Sequence, residues 1–340
     1  MGMVYNTSFW FQQGLELSKT GRYDEAVTSF DKVVEIDPLR ADAWYNRGNA
    51  LSNLQRYNEA IASYDKAIEI DHDKSIIWSN RGTALDELGR YDEAVASYDK
   101  AIDINPLDAD VWSNRGVALK NLGRCDEAIG SYDKATELEP QHADAWYNRG
   151  NALDDLGRCD EAIASYDKTI AFDPRHADAW YNRGTILDNL GRYDTAIKSF
   201  DKTIDIDPQQ ANAWNNRGTT LGALGRYAKA IESFDKAIDI DPQQANAWYN
   251  RGSTLVDLER YEDAIASFEK TVDIDPLDAE AWYDLACCYS LIEQKLQAFI
   301  ALGRAVDLDS TYGTKAGTDS DFGHYHNDPE FPGITSQSGT

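Results

Sequence analysis

Tryptophan recurs at a fixed interval of 34 residues along this chain of 340 residues. All nine tryptophans fall on that interval, from Trp10 to Trp282, and seven of the nine prolines form a second series with the same interval, from Pro38 to Pro276. A period of this length is typical of proteins in which one small structural unit is stacked many times. The repeat, rather than the globular domain, is therefore the unit from which the fold has to be predicted.

The units can be aligned without a gap. Nine of them cover residues 7–312, and their ranges are 7–40, 41–74, 75–108, 109–142, 143–176, 177–210, 211–244, 245–278 and 279–312. Residues 1–6 precede this array as an N-terminal tail, and residues 313–340 follow it as a C-terminal tail. Each unit is too short to bury a core alone, so its stability must come from its neighbours.

Two apolar stripes with helical spacing occur in each unit. In the second unit they comprise Ala43, Trp44, Ala50, Leu51 and Leu54, then Ala60, Ile61, Tyr64, Ala67 and Ile68. A glycine such as Gly89 follows the first stripe, where a left-handed C-terminal cap is favoured. An Asp-Pro pair follows the second stripe and disfavours helix at its first residue. Each unit is therefore predicted to form a helical hairpin, and the small residues Gly48 and Ala60 predict a close approach of two backbones.

The repeat resembles the tetratricopeptide repeat family. The residues that carry the resemblance in the second unit are Trp44, Gly48, Leu51, Tyr57, Ala60, Tyr64 and Ala67. The sequence departs from the family in seven units, where arginine replaces the leucine beside the glycine. The resemblance implies an all-α fold, a right-handed α-solenoid superhelix of nine hairpins whose first helices line a concave groove. It also implies a C-terminal capping segment.

The capping segment is predicted to cover the apolar face of the last unit. Its candidate contacts are made by Phe322, Tyr325, Phe331 and Ile334, which would lie on Phe299 and Leu302.

Arginine and aspartate recur in register from one unit to the next. Every unit with an arginine at the position of Arg47 follows a unit with an aspartate at the position of Asp31. The last unit has Leu285 instead of arginine, and the unit before it has Glu269 instead of aspartate. We predict that Asp31 pairs with Arg47, and that the same ion pair joins each later unit to its predecessor.

Asparagine recurs beside that arginine in seven units, although it is worse than alanine inside a helix by roughly 0.5 kcal/mol. The series consists of Asn46, Asn80, Asn114, Asn148, Asn182, Asn216 and Asn250. In the family this position faces the groove, and a similar asparagine ladder in the superhelical arm of O-linked N-acetylglucosamine transferase holds the backbone of an extended peptide. The resemblance thus implies peptide binding, and the alternative is that each amide bonds a neighbouring helix.

Further candidate groove residues are aromatic and acidic. They are Tyr45, Tyr147, Tyr181, Tyr249, Asp110, Asp144, Asp154, Asp178 and Asp188. The acids favour a ligand with lysine or arginine, although an acid in the first helical turn is also favoured by the helix dipole alone. The tyrosines can stack on a ligand or pack on the next unit. A lysine clamp for acidic peptides is not expected, because Tyr45, Ser79 and Asp110 occupy the corresponding positions.

Composition narrows the class of partner. A formal net charge of −26 disfavours binding to nucleic acid or to anionic membranes. No signal segment, membrane-spanning run, paired-cysteine spacing or catalytic motif is present in the sequence, so we expect a cytoplasmic protein that is not an enzyme and holds neither a cofactor nor a metal. The function predicted is a scaffold that binds an extended polar or basic peptide; the alternative is self-assembly through the ends of the array or the tail.

Overall fold

The computed structural model describes residues 7–336, which fold into helices joined by short turns, with no β-strand in that range. The chain divides into two compact units, Met1–Pro174 and Arg175–Thr340. None of the helices in the described range is both long enough and apolar enough to span a bilayer.

The first unit contains five helical hairpins. Their helices are α1 (Thr7–Lys19), α2 (Tyr23–Ile36), α3 (Ala41–Asn53), α4 (Tyr57–Ile70), α5 (Ser75–Asp86), α6 (Tyr91–Ile104), α7 (Ala109–Asn121), α8 (Cys125–Leu138), α9 (Ala143–Asp155) and α10 (Cys159–Phe172). The second helix of each hairpin packs on the first helix of the next. Successive first helices contact each other more closely than successive second helices do, so this unit curves toward its first helices.

The second unit contains four hairpins and a terminal segment. Its helices are α11 (Ala177–Asn189), α12 (Tyr193–Ile206), α13 (Ala211–Ala223), α14 (Tyr227–Ile240), α15 (Ala245–Val256), α16 (Tyr261–Ile274), α17 (Ala279–Leu291), α18 (Lys295–Leu308), α19 (Thr311–Ala316), a 3-10 helix (Ser320–Tyr325) and α20 (Phe331–Thr335). Each first helix in both units begins at the first residue of a predicted repeat. The prediction of an all-α solenoid is confirmed.

The turn inside each hairpin uses the left-handed conformation predicted from its glycine. Gly89 has a φ of 71°, and the Arg90 amide donates a hydrogen bond to the Leu85 carbonyl 2.9 Å away, which closes the end of α5. Glu259 adopts the same conformation without glycine, at a φ of 58°. The turn is therefore set by the surrounding hairpin, and glycine only lowers its cost.

The recurrence of Gly48 and its counterparts in register reflects a neighbouring aromatic ring rather than a second backbone. A Cβ atom at Gly48 would lie 2.5 Å from Cε1 of Tyr64, so only glycine admits the tyrosine ring of the same hairpin at this point. The prediction that two backbones approach closely at this glycine was therefore wrong. Trp44 joins the hairpin to the preceding turn, because its Nε1 donates to the Pro38 carbonyl at 3.0 Å.

The predicted ion pairs between repeats are present. Nε of Arg47 lies 2.7 Å from Oδ1 of Asp31, and Nη1 of Arg47 lies 2.6 Å from Oγ of Ser63. The same two bonds are made by Arg81, Arg115, Arg149, Arg217 and Arg251. Each arginine thus joins a carboxylate of the previous hairpin to a hydroxyl of its own hairpin. The serine was not predicted, although its recurrence in register is visible in the sequence.

The terminal segment packs on the last hairpin through its aromatic side chains. The ring centroid of Phe299 lies 5.2 Å from that of Tyr325 and 5.8 Å from that of Phe331. Phe322 is fully buried, and Leu302 and Ile334 belong to the same apolar cluster. These are the contacts that the sequence predicted for a capping segment.

Candidate functional site

The candidate site is the surface formed by the first helices, called here the first-helix face. Residues at the positions of Asp42, Tyr45, Asn46 and Asn49 lie on one side of α3, because their spacing of three or four residues is close to one helical turn. Equivalent residues of α5, α7 and α9 continue this face within the first unit, and those of α11, α13, α15 and α17 form it in the second.

Several asparagines of the predicted ladder bond within the protein. Nδ2 of Asn46 donates to the Asp42 carbonyl of its own helix at 2.7 Å. Nδ2 of Asn80 lies 3.3 Å from the Tyr45 hydroxyl and 3.0 Å from Oδ1 of Asn49, both in the preceding hairpin. The amides of Asn216 and Asn250 likewise reach the hairpin before them, at Tyr181 and Asn215, respectively. The structural alternative, a bond to a neighbouring helix, therefore applies to Asn80, Asn216 and Asn250, whereas Asn46 bonds within its own helix.

Asn114 and Asn148 differ from the rest of the series. Both side chains are half-buried on the first-helix face, and neither has a hydrogen-bond partner among residues 7–336. The preceding hairpins carry Ser79 and Ser113 at the position of Tyr45, and serine is too short to reach the amide. These two amides can accept a ligand without breaking an existing bond. Asn182 is half-buried at the equivalent position of α11.

The four predicted tyrosines pack inside their own hairpins. The ring of Tyr45 lies 6.3 Å from that of Tyr64, Tyr147 lies 6.0 Å from Tyr166, Tyr181 lies 6.1 Å from Phe200, and Tyr249 lies 5.6 Å from Phe268. All four are half-buried, and the hydroxyls of Tyr45, Tyr181 and Tyr249 bond the following hairpin. The rings thus position the face, and only their remaining exposed edges are available to a ligand.

The predicted acidic residues lie on the same face but have different surroundings. Asp110, Asp144 and Asp178 are exposed in the first turns of their helices, and Asp110 lies 3.2 Å from Nε2 of His142. Asp188 is half-buried, and its Oδ1 has no hydrogen-bond partner in the described structure. Burial, and then the charge of a neighbouring acid, raises the pKa of Asp154.

A polar cavity opens between the second and third hairpins. It has a volume of about 320 Å³ and is lined by Asn49, Ser52, Asn53, Tyr64, Asn80 and Thr83. Within it, Oδ1 of Asn49 accepts a bond from the Tyr64 hydroxyl at 2.9 Å in addition to the bond from Asn80. Sequence reasoning had assigned Tyr64 to packing alone. Its repeated hydroxyl, opposite a polar residue 15 positions earlier, was the available signal for a second role.

Within residues 7–336, one group of side chains has ligand atoms close enough to hold a metal. The atoms of Cys287, Asp319 and Asp321 lie within 4.8 Å of one another near the terminal segment. The Asp319 carboxylate already accepts bonds from the Tyr283 hydroxyl at 2.6 Å and from the Asp321 amide at 3.0 Å. These bonds give Asp319 a structural role in holding the segment on α17.

Sequence models of the tetratricopeptide repeat match most of the array. One model matches residues 114–174, 147–211, 187–245, 215–279 and 249–312, and others match 14–55, 41–74, 63–96 and 82–123. No curated protein sequence matches the chain.

Solved structures share the fold. YrrB, described as a tetratricopeptide repeat protein with an unusual peptide-binding site, is 28% identical with a TM-score of 0.51 over 55% of this chain and 96% of its own. The C-terminal part of a repeat protein from Cytophaga hutchinsonii is 20% identical with a TM-score of 0.59 over 68% of this chain and 95% of its own, which shows the fold alone. Because a single repeat model matches more than half of the sequence, and the matched residues form the helical hairpins described above, this chain belongs to the tetratricopeptide repeat family.

Proposed function

We propose that this chain is a cytoplasmic, non-enzymatic scaffold that binds an extended polar or basic segment of another protein on its first-helix face. The observation that carries the proposal is the pair of unpartnered amides, Asn114 and Asn148, one repeat apart on the same face. An amide both donates and accepts, so it can pair with a peptide unit whatever the ligand's side chain. The peptide-binding site named for YrrB, a relative of the same family, supports this type of ligand.

The charge of the face supports a basic ligand. Asp110 and Asp144 are exposed in the first turns of α7 and α9, and the net charge of the chain is −26. Complementary charge speeds association and disfavours acidic segments more than it adds affinity. Binding is therefore expected to weaken with salt without being abolished, because the amide bonds do not depend on charge.

The test compares two pairs of asparagines in the full-length chain. The probe is the most enriched peptide from a phage-displayed library of random linear peptides selected on the wild-type chain. Asn114→Ala with Asn148→Ala should weaken its binding at least about tenfold, the effect of losing roughly 1.4 kcal/mol. The melting temperature should be maintained or raised, because these amides have no partner and alanine is the better helix former.

The matched control is Asn216→Ala with Asn250→Ala in the second unit. Those amides join neighbouring hairpins, so their loss should lower the melting temperature. Unchanged peptide binding by the Asn114 and Asn148 double variant, or failure of the selection to enrich any peptide, would contradict the proposed function.

Self-assembly remains a second candidate because of an exposed apolar surface on the last hairpin. Leu296 is 68% exposed and Ile300 is 62% exposed, next to a cavity of about 440 Å³ that Phe299 and Ile334 also line. Sedimentation at increasing protein concentration separates the two functions. A monomer at all concentrations contradicts self-assembly, whereas dimers or longer species that Leu296→Asp with Ile300→Asp dissociates would support it.

A further inference from the structure

A single residue interrupts a repeated hydrogen-bond arrangement in the first unit. In the second hairpin Asn49 accepts bonds from the Tyr64 hydroxyl at 2.9 Å and from Asn80 at 3.0 Å. The equivalent position is Thr83 in the third hairpin and Asn151 in the fifth, and each accepts a bond from the tyrosine of its own hairpin. In the fourth hairpin the position is Val117, which has no polar atom to offer.

Because Val117 has no polar side chain, two polar groups lack the partner that their counterparts have in the second hairpin. The Tyr132 hydroxyl is fully buried and has no hydrogen-bond partner within residues 7–336. The Asn148 amide, which is equivalent to that of Asn80, is also unpartnered. Buried polar groups in folded proteins are nearly always satisfied, and leaving one unpaired is costly. An asparagine at position 117 would satisfy both groups and has nearly the same helix propensity as valine, so the protein forgoes stability here.

An unpaired carboxylate lies on the neighbouring first helix. Asp86, at the end of α5, is half-buried, and its Oδ1 atom has no partner in the described part of the chain. Burial, followed by the charge of Glu87, raises the pKa of Asp86. Burial, followed by the charges of Cys125 and Asp86, likewise raises the pKa of Tyr132, which places the two orphaned groups in one electrostatic environment.

The surrounding charges leave this region acidic. Lys120 is the basic side chain of α7 on this face, and its Nζ lies 3.1 Å from Oδ2 of Asp155 on α9. Glu87, directly after α5, and Asp154, near the end of α9, are both exposed. Lys120 is engaged by Asp155 and its charge also acts on Asp154, whereas no ion pair within residues 7–336 involves Asp86 or Glu87. A cation from outside the chain would therefore be favoured beside these two acids.

We propose that the surface around Val117 is the primary subsite of the first-helix face and that it takes a lysine or arginine side chain of the bound segment. The inference rests on the proposed function and identifies the part of the first-helix face that contributes most to peptide binding. The aliphatic stem of the ligand residue lies on the half-buried Val117, and its cation pairs with Asp86. The amides of Asn114 and Asn148 hold the flanking peptide units, and Ser79 and Ser113 occupy the positions at which other hairpins carry tyrosine rings.

The first test uses two opposite substitutions at equivalent positions. Val117→Asn restores the bonds seen in the second hairpin, and Asn49→Val removes them there. We expect Val117→Asn to raise the melting temperature by a few degrees and to weaken binding at least about tenfold. Asn49→Val should lower the melting temperature, because the same bonds stabilise the second hairpin. Opposite changes in stability and binding separate a ligand site from a general effect on folding.

The probes are a short peptide of alternating serine and lysine and the same peptide with glutamine in place of lysine. Asp86→Asn should weaken binding of the lysine peptide and leave the glutamine peptide unaffected. Asp103→Asn removes an equal charge from the exposed surface of α6, where Asp103 pairs with Lys100 at 3.5 Å, and should change neither. This control excludes nonspecific attraction to an acidic protein.

The outcomes distinguish this inference from the proposed function. If the wild-type chain binds neither these peptides nor any library peptide, the proposed function fails. If the wild-type chain binds but Val117→Asn and Asp86→Asn bind equally well, peptide binding stands and the subsite is overturned. Equal effects of Asp86→Asn and Asp103→Asn would also overturn it.

Discussion

Replacing Arg115 tests how far the bonds between repeats stabilise the array. Nε of Arg115 lies 2.6 Å from Oδ1 of Asp99 in the preceding hairpin, and Nη1 lies 2.8 Å from Oγ of Ser131 in its own. The arginine side chain is 19% exposed and the aspartate side chain is 48% exposed. Arg115→Met keeps the apolar stem and removes only the charged donors.

The magnitude follows from these exposures. A hydrogen bond to a charged group contributes roughly 1.5–3 kcal/mol, but water replaces part of that at a half-exposed carboxylate. The Ser131 hydroxyl also keeps its own bond to the Glu127 carbonyl at 3.1 Å, so it is not orphaned. The variant is therefore expected to lose about 1–3 kcal/mol of unfolding free energy.

The assay is urea unfolding followed by circular dichroism, with Arg124→Met as the matched control. Arg124 also bonds a carboxylate, Oε1 of Glu127 at 2.7 Å, but this pair is exposed and lies within one hairpin. Exposed pairs of this type contribute little, so Arg124→Met should unfold almost as the wild type does. Equal losses in the two variants would refute the argument that burial and position between hairpins give Arg115 its effect.

Three further predictions concern packing, the terminal segment and pH. Gly116→Ala should lower stability by about 1–3 kcal/mol, because its Cβ would lie 2.6 Å from the tyrosine ring packed on it. A Cβ at Gly130 meets nothing within 4 Å, so Gly130→Ala should raise stability by up to about 1 kcal/mol. Thermal unfolding of both variants checks these two expectations. Deletion of 313–340 should lower the melting temperature by uncovering the last hairpin, and an unchanged value would count against a capping role. The bond from Lys295 lowers the pKa of the Asp328 carboxyl in the folded state. The stabilisation by this bond is therefore present above the unfolded pKa of about 3.9 and is lost as the pH falls through the folded-state pKa. The difference in melting temperature between the wild type and Lys295→Met should narrow in acid.

The sequence predicted the structure correctly mainly at positions where the same residue type recurs in every repeat. The first helix of each hairpin begins where the period puts it, as at Ala41, because the same packing recurs at each junction. The pairing of Arg47 with Asp31 could be identified because both residues are lost together at the last junction. The role of Gly48 was misplaced, since spacing alone does not distinguish a neighbouring ring from a neighbouring backbone.

The asparagine residues alone do not show which amides of the ladder are hydrogen-bonded and which are not. All seven members look alike in the sequence, yet the partner of each amide depends on residues 31 and 35 positions earlier, in the preceding hairpin. Asn80 meets Tyr45 and Asn49, whereas Asn148 meets Ser113 and Val117 at the same positions. Comparing those two positions would have distinguished Asn80 from Asn148, but not Asn46, which bonds within its own helix.

This dependence explains why departures from the repeat carry more functional information than the repeat itself. Identical junctions stabilise a stack of repeats, since each interface contributes to the stability of the whole array. A junction that gives up a bond its neighbours make, as the fourth hairpin does at Val117, lowers stability without improving the fold. Natural proteins accept such local conflicts mainly at functional sites. A stabilising change at such a junction should therefore be harmful to binding, whereas the same bond removed elsewhere should lower the stability of the fold.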